Sequence, residues 1–190
     1  MGTGIRELGR KIISDDSYPK IINILLSHYH WDHIMGFFSF VPLYSSKYTI
    51  NIYGYNKHTP ISTLSDVLFN KHFWPADEDK YNSNLNFIEL PFNQSKDNLL
   101  NINQTKICYS IHPHPNGTNT FMINTNDKKI TYITDCEHPD GIINKNVIKD
   151  SDESDFLIHD SHFTIDDLSK HKGWGHSSWK QATDVAITSR

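Results

Sequence analysis

The feature that most constrains the fold is a dense group of metal-ligand side chains at the end of a short apolar segment. Residues 21–26 read Ile-Ile-Asn-Ile-Leu-Leu, which has the length and branching of a buried β-strand. His28, His30, Asp32 and His33 follow directly, within six positions. Imidazole and carboxylate groups at this density are typical of a metal site placed where a strand ends.

Strand geometry predicts how these side chains are shared between ions. Successive side chains of an extended chain alternate faces, so His28 and His30 are expected to point the same way. A turn after them would bring Asp32 and His33 back to a second point nearby. This nitrogen and oxygen donor set suits zinc, manganese or iron. The alternative is a polar surface loop, which a lone histidine would favour and this density does not.

Length and composition limit the classes of protein that fit. The 190 residues predict a single domain over residues 1–190. The formal net charge of −4 argues against an extended nucleic-acid-binding surface, and no apolar run approaches the roughly 20 residues of a membrane span. Two cysteines, Cys108 and Cys136, do not make a disulfide framework, which favours a reducing cytoplasm.

A second group of candidate ligands follows the predicted strand at residues 106–111. The sequence there reads His112-Pro-His114-Pro-Asn-Gly-Thr, and prolines beside an imidazole can hold it outward for coordination. The residues alone leave open which histidine is the ligand.

A third group follows the predicted strand at residues 129–134. Asp135 ends this strand, at a position suited to bridging two cations. Cys136 could act as a thiolate ligand, although a small buried residue is the favoured interpretation. Glu137 and His138 could orient ligands from outside the coordination shell.

These segments together resemble one known family. Residues 27–36, Ser-His-Tyr-His-Trp-Asp-His-Ile-Met-Gly, are similar to the HxHxDHxxG signature of the metallo-β-lactamase fold. The likeness continues through residues 114–118, 134–138 and the Gly-Trp-Gly-His-Ser segment at 173–177. It points to the phosphodiesterase branch with ribonuclease Z-like and cyclic-nucleotide phosphodiesterase-like proteins. The fold class it implies is α/β, as an αββα sandwich.

The resemblance also implies two divalent metal ions, expected to be zinc with manganese or iron as alternatives. Its register favours His114 over His112, which is then a neighbour or a surface residue. The implied ligands are His28, His30 and His114 for one ion, Asp32 and His33 for the other, and Asp135 shared between them.

The catalytic residues implied by the same resemblance are Asp32, Asp160 and His176. A hydroxide between the two metals would attack a phosphodiester, and His176, aligned by Asp160, would protonate the departing ribose oxygen. The alternative is an aspartate that caps a helix and a histidine that fixes a turn. The Gly-x-Gly setting favours function, because constrained loops often display catalytic side chains.

Compared with the family, the chain is expected to be incomplete at both ends. The first strands, the last strand and a final metal-binding histidine are the expected missing parts. His138, His159 or His162 could substitute for that histidine. An unpaired sheet edge would call for a partner, which makes a homodimer possible.

The function expected from the sequence is metal-dependent hydrolysis of a phosphodiester. A cyclic nucleotide is the preferred substrate, because residues 2–8 (Gly-Thr-Gly-Ile-Arg-Glu-Leu) and 173–177 resemble that subgroup most. One alternative is a ribonuclease Z-like endonuclease, although no basic arm for tRNA is evident. Thioesterase or lactonase types also remain open. A different class of hypothesis is a truncated, non-catalytic metal-binding remnant.

Overall fold

A computed structural model describes residues 1–77, 80–94 and 98–189. The chain folds into two compact units, Met1–Leu90 and Pro91–Arg190, each with its own β-sheet and helices. The α/β class predicted from the sequence is confirmed. The single domain predicted from the length stays a prediction.

The first unit is built on a three-stranded parallel sheet in the order β1-β2-β3. Short helices and 3₁₀ turns lie between its strands in the described residues. The strands are β1 (Ile21–Leu25), β2 (Thr49–Gly54) and β3 (Asn84–Glu89), the helices are α1 (Ile5–Ser14), α2 (Trp31–Ile34) and α3 (Ser62–Leu68), and the 3₁₀ turns are Phe37–Ser39 and Val41–Tyr44.

The two faces of this sheet differ in chemistry. Ile50 and Ile52 of β2 are fully buried on one face, as the alternating pattern of the strand requires. The opposite face carries an asparagine at the same level of each strand. The Asn51 amide donates to Asn23 Oδ1 at 2.9 Å, and the Asn86 amide donates to Asn51 Oδ1 at 3.0 Å. We call this row of three side chains the asparagine ladder.

The interior of the first unit is apolar. Its aromatic centre is Phe37, whose ring lies 5.0 Å from Phe38, 5.8 Å from Phe69 and 6.5 Å from Phe87 between centroids. The buried hydrophobic residues of this cluster are Ile12, Leu26, Ile34, Phe37, Phe40, Leu43, Tyr48, Ile50, Ile52, Ile61, Leu64, Leu68 and Tyr81.

The second unit is built on a five-stranded sheet in the order β4-β5-β6-β7-β8. The first three pairings are antiparallel, and β8 pairs with β7 in parallel. The strands are β4 (Asn98–Ile102), β5 (Thr105–His112), β6 (Thr118–Thr125), β7 (Lys128–Ile133) and β8 (Phe156–His159), and the helices are α4 (Lys145–Ser151), α5 (Ile165–Leu168) and α6 (Trp179–Thr188).

Helices α4 and α6 pack together in this unit, and α4 also contacts β5. Helix α6 begins with a capping box, in which the side chains of Ser178 and Gln181 each accept a hydrogen bond from the backbone N–H of the other. One apolar cluster of this unit consists of Ile133, Cys136, Val147 and Val185. Further buried hydrophobic residues are Ile107, Tyr109, Phe121, Met122 and Phe163.

The second unit also buries many polar side chains. The buried polar residues are His112, Thr118, Asn119, Thr120, Thr131, His138, Ser151, Ser177, Ser178, Gln181 and Ser189. No helix in the described part of the chain is long and apolar enough to cross a membrane.

Candidate metal centre and proton-transfer site

Three histidine rings of the first unit cluster just after β1. The His28 ring is 1% exposed, and its centroid lies 4.5 Å from that of His30 and 4.2 Å from that of His33. Ser27 Oγ lies 3.2 Å from His28 Nδ1 and 3.4 Å from His33 Nδ1. The stretch after the strand therefore brings His28 and His30 together, and His33 lies comparably close to His28.

Tyr29, between His28 and His30, points elsewhere. Its hydroxyl lies 2.9 Å from the position that a Cβ on Gly54 would occupy. Its side chain packs against the apolar cluster of the first unit. Burial raises the pKa of the Tyr29 hydroxyl, and the Glu89 charge adds to that rise. The predicted alternation along residues 28–30 is thus observed.

Helix α2 places Asp32 and His33 in one turn directly after His30, which is its N-cap. His33 Nε2 lies 3.2 Å from Asp32 Oδ2, and the Asp32 side chain is 74% exposed. The predicted turn after the two first histidines exists. The role of Asp32 as a ligand stays a prediction.

In the second unit, His114 has the geometry of a ligand histidine. Its Nδ1 lies 2.9 Å from the carbonyl oxygen of Gly175, to which it can only donate. The lone pair is then on Nε2, which lies 3.9 Å from Asp135 Oδ2. The His114 side chain is only 2% exposed. This arrangement is compatible with metal binding through Nε2, and the role of His114 as a ligand stays a prediction.

His112 is directed elsewhere in the same unit. It is buried, and its Nε2 lies 2.8 Å from Asp150 Oδ2 on α4, where Ser110 Oγ also donates. The interpretation of His112 as a surface residue is wrong, because β5 carries it beneath α4. The interpretation as a neighbour of the ligand stays a prediction.

Asp135 follows β7 and takes the left-handed backbone conformation, with φ of 48°. Aspartate tolerates this region better than most residues, and it turns the chain sharply at the end of the strand. One ligand atom each from Asp135, Asp160 and His176 lies within 4.8 Å of the other two. The second unit thus gathers two carboxylates and an imidazole from three separate segments.

Within that group, Asp160 is already well supplied with hydrogen bonds. Its Oδ2 accepts from the backbone N–H of Cys136 at 3.2 Å and of Ser177 at 3.0 Å, and from His176 Nδ1 at 3.0 Å. Its Oδ1 accepts from the His162 backbone N–H at 3.0 Å. A carboxylate held by four donors is better suited to orienting His176 than to binding a metal.

His162 is a site residue whose role the sequence did not indicate. Its ring stacks on His176 at 4.5 Å between centroids, with an angle of 24° between planes. Sequence reasoning considered it only as a substitute ligand. Its backbone contact with Asp160 depends on the turn after β8, which no pattern in the sequence reveals.

The other two substitute candidates, His138 and His159, lie together in the second unit. Their rings stack at 5.6 Å, and His138 Nδ1 accepts from the Asn144 backbone N–H at 3.2 Å. Burial lowers the pKa of His138 to about 4, helped by the charges of His159 and His112. Burial also lowers the pKa of His159. In the described part of this unit, the residues whose ligand atoms lie close to that of Asp135 are Asp160 and His176, rather than His138 or His159.

Cys136 lies between Asp135 and Glu137 and is fully buried. Burial raises the pKa of its thiol to about 12, with further contributions from Asp160, Asp150 and Glu137. The side chain is therefore a neutral thiol at pH 7. This agrees with the interpretation of Cys136 as a small buried residue.

The donor groups fit divalent metal ions. His114 donates from Nδ1 to a backbone carbonyl, which is the usual arrangement of a ligand histidine. Imidazole and carboxylate donors without a thiolate suit zinc, manganese and iron.

Comparison with known families agrees with this chemistry. A family model described as the beta-lactamase superfamily domain matches residues 4–188. The chain belongs to the beta-lactamase superfamily. The resemblance noted in the sequence is therefore confirmed. Comparison with curated proteins gives no match.

Solved structures of this superfamily share the fold. Human tRNase Z, short form (ELAC1), has a TM-score of 0.65 and 20% identity, over 88% of this chain and 68% of its own. The metallo-β-lactamase fold protein YhfI from Bacillus subtilis has a TM-score of 0.60 and 21% identity, over 88% of this chain and 59% of its own.

A third solved structure is a diphosphatase of the PhnP family. It has a TM-score of 0.60 and 17% identity, over 95% of this chain and 60% of its own. The chain thus spans about three fifths to two thirds of the length of these proteins. At these identities the likeness shows the metallo-β-lactamase fold, which confirms the predicted fold.

Proposed function

We propose that this superfamily member is a metal-dependent phosphodiester hydrolase. The observation that carries the proposal is the Asp160–His176 pair, with its 3.0 Å hydrogen bond, beside the carboxylate of Asp135. A carboxylate that binds metal would help to place the attacking nucleophile, and an oriented imidazole beside it would give a proton to the leaving group. Hydrolysis needs both.

The proposed metal ligands are those predicted from the sequence. Bound divalent cations would supply a nucleophile at neutral pH and offset negative charge on the phosphate oxygens. Zinc is the proposed metal. The ligand set is His28, His30 and His114 for one ion, Asp32 and His33 for the second, and Asp135 as the shared ligand.

His176 is the proposed proton donor. Its Nδ1–H donates to Asp160 Oδ2, so the carboxylate fixes the ring and stabilises its protonated form. The proton for the departing alkoxide is then carried on Nε2. The His176 side chain is 20% exposed, which leaves it accessible to a substrate. Asp160 is only 6% exposed, so it positions the ring without contacting bulk water.

The proposed substrate is a small nucleotide phosphodiester, with a cyclic mononucleotide preferred. The support is the similarity of residues 2–8 and 173–177 to cyclic-nucleotide phosphodiesterase-like proteins. A net charge of −4 does not favour a long RNA substrate. A cytoplasmic location and a homodimer belong to the same proposal.

The first experiment measures hydrolysis of bis-p-nitrophenyl phosphate by zinc-loaded protein. We expect His176→Ala to lower kcat by about 10²–10⁴-fold, the usual contribution of a general acid. Asp160→Asn should lower it too, because the amide cannot stabilise a protonated imidazole. His58→Ala is the matched control, because His58 is an exposed histidine of a loop. Equal rates for the wild type and both site variants would refute the mechanism.

A second experiment separates the candidate functions. Zinc-loaded protein is tested against cyclic mononucleotides, linear dinucleotides and a tRNA precursor with a 3′ extension. Preferred turnover of a cyclic nucleotide supports the proposal, and cleavage of the precursor alone favours a ribonuclease Z-like endonuclease. A chain that binds no metal and hydrolyses none of these is the non-catalytic remnant.

A further inference from the structure

One carboxylate in the second unit holds the loop that carries His176. Glu137 Oε1 accepts from the backbone N–H of Gly173 at 2.7 Å, and Glu137 Oε2 accepts from the backbone N–H of Gly175 at 2.9 Å. Both oxygens of one side chain are therefore engaged by two amides of the Gly-Trp-Gly turn. Hydrogen bonds to an ionised acceptor are stronger than neutral ones, and paired bonds fix direction as well.

The turn that Glu137 holds depends on glycine. Gly173 and Gly175 have φ of 86° and 83°, in the left-handed region that favours glycine. A Cβ on Gly175 would also collide with the ring of His114. The backbone of residue 175 therefore approaches the ring as closely as only glycine permits.

That close approach determines the state of His114. The carbonyl oxygen of Gly175 accepts from His114 Nδ1 at 2.9 Å, which places the proton on Nδ1 and the lone pair on Nε2. The position of this carbonyl follows from the turn, and the turn is held by Glu137. The chain of contacts runs from Glu137 through Gly175 to His114.

A third contact links the backbone of Glu137 to the segment that carries His114. The backbone N–H of Glu137 donates to the carbonyl oxygen of Pro113 at 2.8 Å, one residue before His114. Glu137 thus holds the His114 segment with its backbone and the glycine turn with its side chain. The residue is two positions after Asp135 along the chain, so three parts of the site are linked to one residue.

We propose that Glu137 is a positioning residue that fixes the imidazole tautomer and orientation of His114, and with them the affinity of this ligand for metal. The inference rests on the proposed function in taking His114 as a metal ligand. Glu137 is neither one of the proposed metal ligands nor the proposed proton donor. It acts through the Gly-Trp-Gly turn.

The structure offers a matched control for this role. Lys172 Nζ and Asp140 Oδ1 form an ion pair at 2.7 Å that links the same two segments of the chain, and both side chains are largely exposed. Exposed pairs of this kind contribute little to stability. Asp140→Asn therefore removes a tether between these segments without changing the acceptors of the glycine amides.

The experiment compares Glu137→Gln with Asp140→Asn and the wild type, first without metal. Long-range ¹H–¹⁵N spectra report which nitrogen of His114 carries the proton. We expect the Nδ1–H tautomer in the wild type and in Asp140→Asn. In Glu137→Gln, one amide N–H would face the side-chain NH₂ group, so the turn relaxes and His114 becomes a mixture of tautomers.

Zinc affinity is then measured by competition with a chelator. We expect Glu137→Gln to weaken binding by about 10–100-fold, the usual effect of removing a group that orients a ligand, and Asp140→Asn to change it less than about 2-fold. If Glu137→Gln does not fold, Glu137→Asp is used, because its shorter carboxylate cannot reach both amides.

A wild-type tautomer together with wild-type zinc affinity in the Glu137 variants would overturn the inference. Its failure is distinguishable from failure of the proposed function. The tautomer is read without metal or substrate, so a protein that hydrolyses no phosphodiester still shows whether Glu137 sets the state of His114.

Discussion

The two units of the chain differ in how many polar side chains they bury. The first buries a continuous group of aliphatic and aromatic side chains around Phe37. The second also buries apolar side chains, and among them it buries histidines, hydroxyls and two amides. Buried apolar side chains are stabilised by the removal of apolar surface from water. Buried polar side chains are stable only if each has a hydrogen-bond partner.

The candidate ligands differ in the same way. In the first unit, His28, His30 and His33 come from one continuous stretch, so a single strand and turn gather them. In the second unit, Asp135, Asp160 and His176 come from three distant segments that only the folded unit brings together. A local group can be recognised in a sequence, and a dispersed one requires the fold.

The largest expected effect tests the apolar interior of the first unit. Phe37→Ala should lower the free energy of unfolding by about 3–5 kcal/mol, because it removes a buried ring and leaves a cavity. Urea denaturation followed by fluorescence measures the change. Phe73→Ala is the control, since Phe73 is 81% exposed. A loss for Phe37→Ala below about 1 kcal/mol would contradict the importance assigned to this cluster.

The next effect tests the polar interior of the second unit. Asp150→Ala removes the acceptor shared by His112 and Ser110, both inside the unit. We expect a loss of about 2–3 kcal/mol, the usual result when charged hydrogen bonds are removed from a buried site. Asp150→Asn should lose less, because the amide oxygen still accepts from one of the two donors. Equal losses of unfolding free energy in Asp150→Ala and Asp150→Asn would contradict the importance assigned to these hydrogen bonds.

Low pH should lower the stability of the folded protein through His138, which is buried in the second unit. Its pKa is lowered from 6.5 to about 4 in the folded protein, so between these values the unfolded chain binds a proton that the folded chain does not. Stability therefore falls as pH drops from 6.5 toward 4, by about 1–2 kcal/mol after allowance for solvent screening.

Thermal unfolding at several pH values measures this acid loss. In His138→Asn the loss should be smaller, because the amide oxygen can accept from the Asn144 backbone N–H without titrating. An unchanged pH profile in that variant would assign the acid sensitivity to other groups.

The smallest expected effect concerns the start of α6, directly after His176. Ser178→Ala removes one half of the capping box and should cost about 1 kcal/mol. Thr183→Ala on the exposed face of the same helix is the control, expected to stay within about 0.5 kcal/mol of the wild type. Equal changes in the two variants would mean that the cap adds nothing to this unit.

Much of the fold is readable from the sequence because its strands are short apolar or alternating runs. Residues 21–26 predict β1, which ends at Leu25, and residues 129–134 predict β7, which ends at Ile133. Helix α4 gives no such signal. It contributes Val147 to the apolar cluster and Asp150 to a polar contact, and the partner of Asp150, His112, lies 38 residues away along the chain.

The candidate site likewise has a part that the sequence predicts and a part that it does not. The histidines around His28 and the Asp160–His176 pair are found by spacing and by family resemblance. The two hydrogen bonds of Glu137 to the glycine turn, and the stacking of His162 on His176, are not. Both depend on the exact path of loops, and no residue type or spacing indicates where a loop places a backbone amide or a ring.

The asparagine ladder of the first unit has a consequence for how its strands align. Three identical amides at equal height satisfy one another only when β1, β2 and β3 are in register. A shift of β1 against β2 by two residues would keep the isoleucines inside but would set an amide opposite an aliphatic or hydroxyl side chain. The ladder thus selects one alignment of these two strands among those that hydrophobicity allows, and a chemical change of Asn23 or Asn51 to a carboxylate would weaken that selection.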